Sequence, residues 1–470
     1  MRKQQIKQVV EKLKLMEETH NSGRFTEAQQ NARELVGFLE SNNCDNKKII
    51  ELLTQYDELL KKAAAGEVGV KLLRKHFTKI LNTANHELKP SRMEITFISH
   101  IASMSDCLES IYLTAKDDPA CDAHWIPVPY YEHDADGNPK NLKYEGTEFY
   151  DEKIEIIDWK EYDIEARKPD AIFTFNTYDR ANKITSIHPD YYNSRLCNLT
   201  DMLVYVPYYA LEEATHVVGI ANEILAHKII LPTERRKNYY RQHFKDTMGR
   251  KFGSVDHKLV ALGSPKRDKI VNTKKENCDL LQEWAYLIQD KKVILYASSI
   301  APALQSGPIY LSKLKQVLDT FAKREDVVLW WRPHPLLMQT YVSMVPQLLP
   351  AYKRLVDDYR KNTCGIYDDT PNLHRAIAMG DGYCGDRGSL LYMYQMTGKP
   401  AMMLDTVSDE LFKNCSIGYC WQEKDGKKIQ DFIDYVLSNP ELEQAEGEAI
   451  NADGTAGQKI YEHIREIILK

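Results

Sequence analysis

At 470 residues the chain is too long for one hydrophobic core, so two or three domains are expected. Hydrophobic residues at 43% and charged residues at 28% are ordinary for a soluble globular protein, and a formal net charge of −6 argues against a nucleic-acid partner held by a bulk basic face. No apolar run reaches about 18 residues. The opening MRKQQIKQVVEKLK is charged throughout, which supports neither a spanning helix nor a signal peptide and predicts a cytoplasmic protein. Nine cysteines lie scattered without a C-x-x-C pair or zinc-type spacing, and the closest, Cys415 and Cys420, match no metal signature. They read as reduced core thiols, so neither disulfide nor structural metal is predicted.

Residues 1–88 read as helices. Ile6, Val9, Val10, Leu13 and Met16 recur at helical spacing, as do Ala32, Leu35, Val36 and Leu39, then Ile49, Leu52, Leu53, Leu59 and Leu60. Ser22-Gly23 and Asn42-Asn43 are turn signals between them. An accessory module of three or four helices is expected; SGRFTEAQQNARELVGFLE resembles one tetratricopeptide-like hairpin, with no second copy at a fixed period. The competing reading is a coiled-coil arm that builds a homo-oligomer.

From Glu94 the pattern changes. A short β run, Ile95 to Ile98, ends in the polar loop Ser99 to Asp106 before a helical stretch with Leu108, Ile111 and Tyr112, the order in which a Rossmann-like domain begins. Further β runs at 123–128, 154–157, 171–175, 203–206 and 228–231 alternate with helical segments, and YYEHDADGNPKNLKYEG reads as a loop. These make a first α/β domain over 89–257. A second α/β domain is expected over 258–440, with strands at 259–262, 293–297, 327–331, 365–367, 382–384 and 401–404. The tail, 441–470, ends in a helix with Ile460, Ile464, Ile467 and Ile468 on one stripe.

Two corners of the second domain look like phosphate-handling devices. After the strand ending at Trp331 come Arg332, Pro333, His334 and Pro335: a fixed cation, a titratable donor and two stiffening prolines. Gly385-Asp386-Arg387-Gly388-Ser389 follows another strand and opens a helical segment, so its glycines would let backbone N–H groups approach an anion. A capped tight turn is the plainer alternative for either corner alone. Two such corners in one sheet, each with a cation, favour a phosphate site.

The order GSPKRD (263–268), ILYASS (294–299), RPHP (332–335), D-x10-GD-x2-S ending at Ser389, and GKP (398–400) resembles the C-terminal domain of the CDP-glycerol glycerophosphotransferases, the teichoic-acid polymerases and primases of GT-B fold. The resemblance covers roughly residues 255–410. It implies a GT-B-like pair of Rossmann-like domains behind the helical module, with the last helix crossing back onto the first. It also implies transfer of glycerol phosphate, or a related polyol phosphate, from a CDP-linked donor onto a cell-surface glycan or teichoic-acid-like polymer, with no cofactor, no bound metal and no nucleic-acid partner. An acceptor of that kind is membrane-linked, which would bring a cytoplasmic enzyme to the inner face of the membrane. Many of these enzymes carry Trp-His-Gly after the strand corresponding to 203–206; this chain has Pro207-Tyr208-Tyr209-Ala210 there.

Such a transfer needs a cradle for two phosphates and a base for the acceptor proton. Arg332, His334, Arg387, Gly388 and Ser389 are the cradle candidates, with Ser298 and Asp386 beside them and Lys266 and Arg267 adding charge from the interdomain face, unless those two sit on a solvated turn. Asp381 and Asp386 could ligate a metal, but their setting suggests hydrogen-bonding braces. Asp368, Asp369 and Thr370 read first as a helix N-cap. His100 is the first candidate for the base because it ends the first strand of the first domain, with Asp106 to orient it; His188 and His216 are the alternatives, and a structural histidine is the plainer reading of each. Tyr191, Tyr192, Tyr208 and Tyr209 would form an acceptor wall or pack in the core. A nucleotide-sugar glycosyltransferase, or a non-catalytic scaffold that has lost its base, fits the same residues.

Overall fold

The computed structural model describes residues 1–42, 46–133, 138–176, 178–179, 185–209, 223–361, 364–370, 372–406, 418–420, 426–440 and 449–470. The first 88 residues fold as α1 (Lys3–Asn21), α2 (Phe25–Ser41), α3 (Lys47–Ala64) and α4 (Val70–Glu87). Their apolar stripes, among them Val9, Leu13, Leu35, Leu53 and Phe77, close on one another into a single core. The module is thus a bundle rather than an extended coiled-coil arm. It docks on the first α/β domain through Arg2, which pairs with Glu94 and donates to Asp170 (3.0 Å), both carboxylates being buried.

The first domain is a parallel sheet in the order β2-β1-β5-β7-β8-β9, formed by β1 (Met93–Ser99), β2 (Cys121–Pro127), β5 (Ala171–Thr174), β7 (Met202–Tyr205), β8 (Lys228–Leu231) and β9 (Leu259–Ala261). Its strands read as near-continuous apolar runs because both faces are covered. Three expectations change here. The run at 259–262 reads from sequence as the start of the second domain, yet β9 pairs with β8 and completes the first sheet. The chain crosses over only afterwards, at Gly263, whose φ of +99° and contact with the Ile450 carbonyl exclude a side chain. The segment read as a loop carries β3 (Tyr130–His133) and β4 (Pro139–Lys143), which join β6 (Thr185–Ile187) in a small antiparallel sheet, while 154–157 contributes only a single bridge from Ile156 to Trp125.

The second domain repeats the plan. β10 (Lys292–Ser298), β11 (Val327–Pro333), β12 (Gly365–Tyr367), β13 (Gly382–Gly385), β14 (Ala401–Asp405) and β15 (Gly418–Cys420) form a parallel sheet ordered β12-β11-β10-β13-β14-β15. Separate apolar cores cover its two faces, one built on Tyr310, Leu314 and Trp331, the other on Trp284, Trp330 and Tyr394. Two doubly wound domains behind a helical bundle are the GT-B-like arrangement. The last helix, Ala456–Leu469, returns to the first domain and lays Ile460, Tyr461, Ile464 and Ile468 against α5 (Asp106–Asp117). Gly457 makes that approach possible: a Cβ there would lie 2.6 Å from the Ser110 carbonyl carbon. Gly457→Val is expected to cost about 2 kcal/mol of stability by forcing the helix off α5, read as a lowered denaturation midpoint with an unchanged slope.

Candidate active site

In each sheet the strand order reverses once, and a crevice opens at the carboxyl ends of the two strands flanking the reversal. In the second domain these are β10 and β13. Gly385 brings them together, since a Cβ would stand 2.6 Å from the Ala297 carbonyl oxygen. Immediately beyond it Asp386 turns inward and is fully buried. Its carboxylate accepts from the Ser299 N–H (2.6 Å) and the Tyr310 hydroxyl (2.5 Å) and pairs with Lys313, itself fully buried. Burial pushes the Asp386 carboxyl up and Lys313 pulls it back. Asp386 is therefore a brace, not a phosphate-facing group. Ser298, expected beside the cradle, is likewise turned inward: its buried hydroxyl accepts from the Trp331 indole N–H (3.0 Å). The groups that do face outward at this reversal are half-buried Ser299 and Gly388 and exposed Arg387 and Ser389.

The corner after β11 divides the same way. Arg332 is buried and donates to Asp368 (2.7 Å) and to the Thr370 carbonyl (2.6 Å), so its charge holds the turn after β12 rather than a ligand. Asp368 also accepts from the Trp330 indole (2.9 Å) and the Thr370 hydroxyl (2.6 Å). The helix Leu373–Met379 is capped by Asn372, whose side chain accepts from the Arg375 N–H (3.0 Å), and not by the Asp368–Thr370 turn. His334 is exposed beside a cleft of about 510 Å³ that also involves Tyr352, Lys353, Arg360 and Tyr367. Its Nδ1 accepts from the Leu336 N–H (3.2 Å), which assigns the proton of the neutral ring to Nε2; desolvation lowers its pKa. Asp381 is a second brace, accepting from the Val293 N–H (2.9 Å) and pairing with Lys275 (2.7 Å).

In the first domain the reversal lies between β1 and β5. His100 leaves the end of β1 and stacks on Phe175, just past β5, at 4.9 Å; Tyr208 packs against the same ring at 6.1 Å. Burial holds the His100 pKa down to about 4, so the ring is neutral at physiological pH. Its loop is pinned on both sides. Ser99 accepts from the Trp125 indole (3.0 Å) and shares a hydrogen bond with the Tyr150 hydroxyl (2.8 Å), and Glu145 accepts from the Ala102 N–H (2.7 Å) and the Tyr130 hydroxyl (2.9 Å).

Asp106, expected to orient His100, does something else. It receives Lys266 at 2.5 and 2.7 Å and His374 at 3.0 Å, both from the second domain. Burial alone would raise its pKa, but Lys266 and His374 outweigh it and hold the carboxyl well below the usual range. Lys266 is thus neutralised in the seam and not offered to a ligand. The rest of GSPKRD continues the seam: Lys269 pairs with Glu109, and Asp268 accepts from the Ser110 hydroxyl (2.8 Å) and from the N–H groups of Ala456 (3.1 Å) and Gly457 (2.6 Å). Arg267 donates to the Met396 carbonyl (3.3 Å). His188 caps the turn Pro189–Tyr191, accepting from the Asp190 N–H (3.3 Å), and stacks on Tyr131 of the small sheet at 5.9 Å. Tyr191 is core, while Tyr209 lies under the Arg236 guanidinium at 5.4 Å. His216 lies outside the described residues.

Two Rossmann-like domains with paired crevices define a GT-B-like fold. Residues 234–403 match the sequence profile of the family CDP-Glycerol:Poly(glycerophosphate) glycerophosphotransferase. No curated protein matches the sequence. Among solved structures, a putative UDP-N-acetylglucosamine 2-epimerase from Listeria monocytogenes is 13% identical, with a TM-score of 0.53 over 80% of this chain and 96% of that one. The UDP-GlcNAc 2-epimerase from Methanocaldococcus jannaschii is 14% identical, with a TM-score of 0.51 over 80% of this chain and 100% of that one. The wall teichoic acid polymerase TagF is 13% identical, with a TM-score of 0.44 over 89% of this chain and 98% of that one. At these identities the epimerases establish the fold alone. The stretch that resembles this family runs from the end of the first domain through most of β14.

Asp106→Asn leaves Lys266 buried without its counter-charge and is expected to cost about 3 kcal/mol at pH 7. The folded-state pKa of Asp106 is depressed, so its contribution is whole above the unfolded value of about 3.9 and is lost as pH falls through the folded value. Urea melts of both proteins should therefore differ at neutral pH by a gap that stays constant down to about pH 4 and narrows progressively only below it; a gap independent of pH would contradict this assignment.

Proposed function

We propose that this chain transfers glycerol phosphate, or a related polyol phosphate, from a CDP-activated donor to a hydroxyl of a cell-surface glycan or teichoic-acid-like polymer and releases CMP. The observation that carries the reading is the family match over 234–403, which includes both polar corners of the second sheet. The acceptor oxygen attacks the phosphorus that bears the polyol, the bond from that phosphorus to the CMP oxygen breaks, and the acceptor proton passes to a base. His100 is the base in this scheme, because burial keeps its ring unprotonated and it stands at the crevice of the first domain. Negative charge grows on CMP as it leaves, and Arg387, Ser389, Ser299 and His334 are the outward polar groups that would meet it. Such acceptors are reached at the inner face of a membrane, and the reading has the protein work there peripherally; among the described residues no helix is long and apolar enough to cross a membrane.

Thermal melts with CMP, CDP-glycerol, UDP and UDP-sugars test the donor. A cytidine ligand at ~100 times its dissociation constant should stabilise the wild type by about 2.7 kcal/mol, and Arg387→Ala should weaken the effect. Stabilisation by uridine compounds alone would transfer the reading to a nucleotide-sugar glycosyltransferase, and stabilisation by none would favour a scaffold. For the base, His100→Ala should bind CDP-glycerol as the wild type does while CMP release falls by ~10²–10⁴-fold; unchanged turnover would remove His100 from the scheme.

A further inference from the structure

Beneath the crevice of the second sheet lies an ion pair that the proposed chemistry does not use. Lys313 belongs to the helix Pro308–Phe321 and sits among Tyr310, Leu314 and Val317, fully excluded from solvent. Its ammonium donates to Asp386 and to the Leu404 carbonyl (2.7 Å). A buried pair of this kind adds little stability over apolar residues of similar volume, because desolvation of both charges offsets their attraction. Its presence asks for another explanation, and the geometry around Asp386 supplies one.

Residue 386 is held from every side. Its N–H donates to the Ala297 carbonyl (3.0 Å), its own carbonyl accepts from the Tyr383 hydroxyl (2.6 Å), and its carboxylate joins the Ser299 N–H, the Tyr310 hydroxyl and Lys313. The residues tied by this one side chain are those from which the outward groups of the crevice project. Ser299 is bonded directly, and Arg387, Gly388 and Ser389 follow Asp386 in the chain. The Ser299 hydroxyl lies only 3.1 Å from where a Cβ on Gly388 would stand, so the two rims of the crevice are in near contact. We infer that the Lys313–Asp386 pair is a positioning device that fixes the rim at Ser299 against the rim at Arg387–Ser389 and thereby sets affinity for a phosphate-bearing ligand. Lys313 is not a catalytic residue in this account, since it touches no reacting atom. The inference rests on the reading of this crevice as the donor site.

The test is calorimetric titration of CDP-glycerol, CMP and UDP into the full chain. Lys313→Met/Asp386→Leu replaces both charges by apolar groups, and Tyr310→Phe removes one hydrogen bond without stranding a charge. Lys315→Ala, on an exposed position of the same helix, is the control. The double variant should bind CDP-glycerol at least 10-fold more weakly with stoichiometry near one, Tyr310→Phe a few-fold more weakly, and the control as the wild type does. A merely structural role would instead lower the stoichiometry and leave the dissociation constant unchanged, and that outcome overturns the inference. If the double variant does not fold, Tyr310→Phe decides by the same criterion. Should the wild type bind UDP but not CDP-glycerol, the functional reading fails while the variants still test the pair on UDP. A wild type that binds none of the three defeats both.

Discussion

The placement of the second sheet against the first depends on buried charge along α5. Asp106, at the first turn of α5, is met by Lys266 and His374, Glu109 by Lys269, and Ser110 by Asp268, all from the second domain. Asp268 then reaches the first N–H groups of the C-terminal helix, so one acidic side chain ties three segments distant in sequence. Apolar contact alone, which is non-directional, would let these elements slide. Charged hydrogen bonds of defined geometry do not, and each buried partner is costly to strand.

The same logic recurs inside each domain. At the end of β11 the chain turns Arg332 inward against Asp368 and leaves His334 outside; at the end of β13 it turns Asp386 inward against Lys313 and leaves Arg387 and Ser389 outside. At both corners the inward charge organises the backbone from which the outward group projects. In the first domain neutral groups do this work, with Ser99 pinned by Trp125 and Tyr150 beneath His100.

The helices, the strands of the two parallel sheets and the polar corners were legible in the sequence because they are local, whereas the small antiparallel sheet of β3, β4 and β6 was not. Apolar runs of strand length, followed by glycine and charge, mark the carboxyl ends of parallel strands whatever the rest of the chain does. His100 could be assigned to such an end on this basis alone. Direction was not legible. Whether Ser298, Arg332, Lys266 or Asp386 faces a ligand or a buried partner depends on Trp331, Asp368, Asp106 and Lys313, residues far away in the chain. The sheet that claims β9 was equally hidden, since an isolated β run of three residues carries no mark of its neighbour. One signal was available and overlooked: Lys313 stands on the apolar stripe of Tyr310, Leu314 and Val317, where an unpaired lysine would not be tolerated.

This division of labour changes how substitutions in the polar corners should be understood. Arg332→Ala would strand Asp368 and release the turn at Thr370, so lost activity there would report a collapsed corner rather than a missing phosphate contact. Arg387 and Ser389 are exposed, and their truncation leaves the buried pair intact. A motif that reads as one functional unit in sequence is physically two layers, an inner one that sets backbone geometry and an outer one available to ligand. Changes in the outer layer separate binding from folding directly, and changes in the inner layer do so only where they leave no charge uncompensated, as paired replacements or the loss of a neutral donor do.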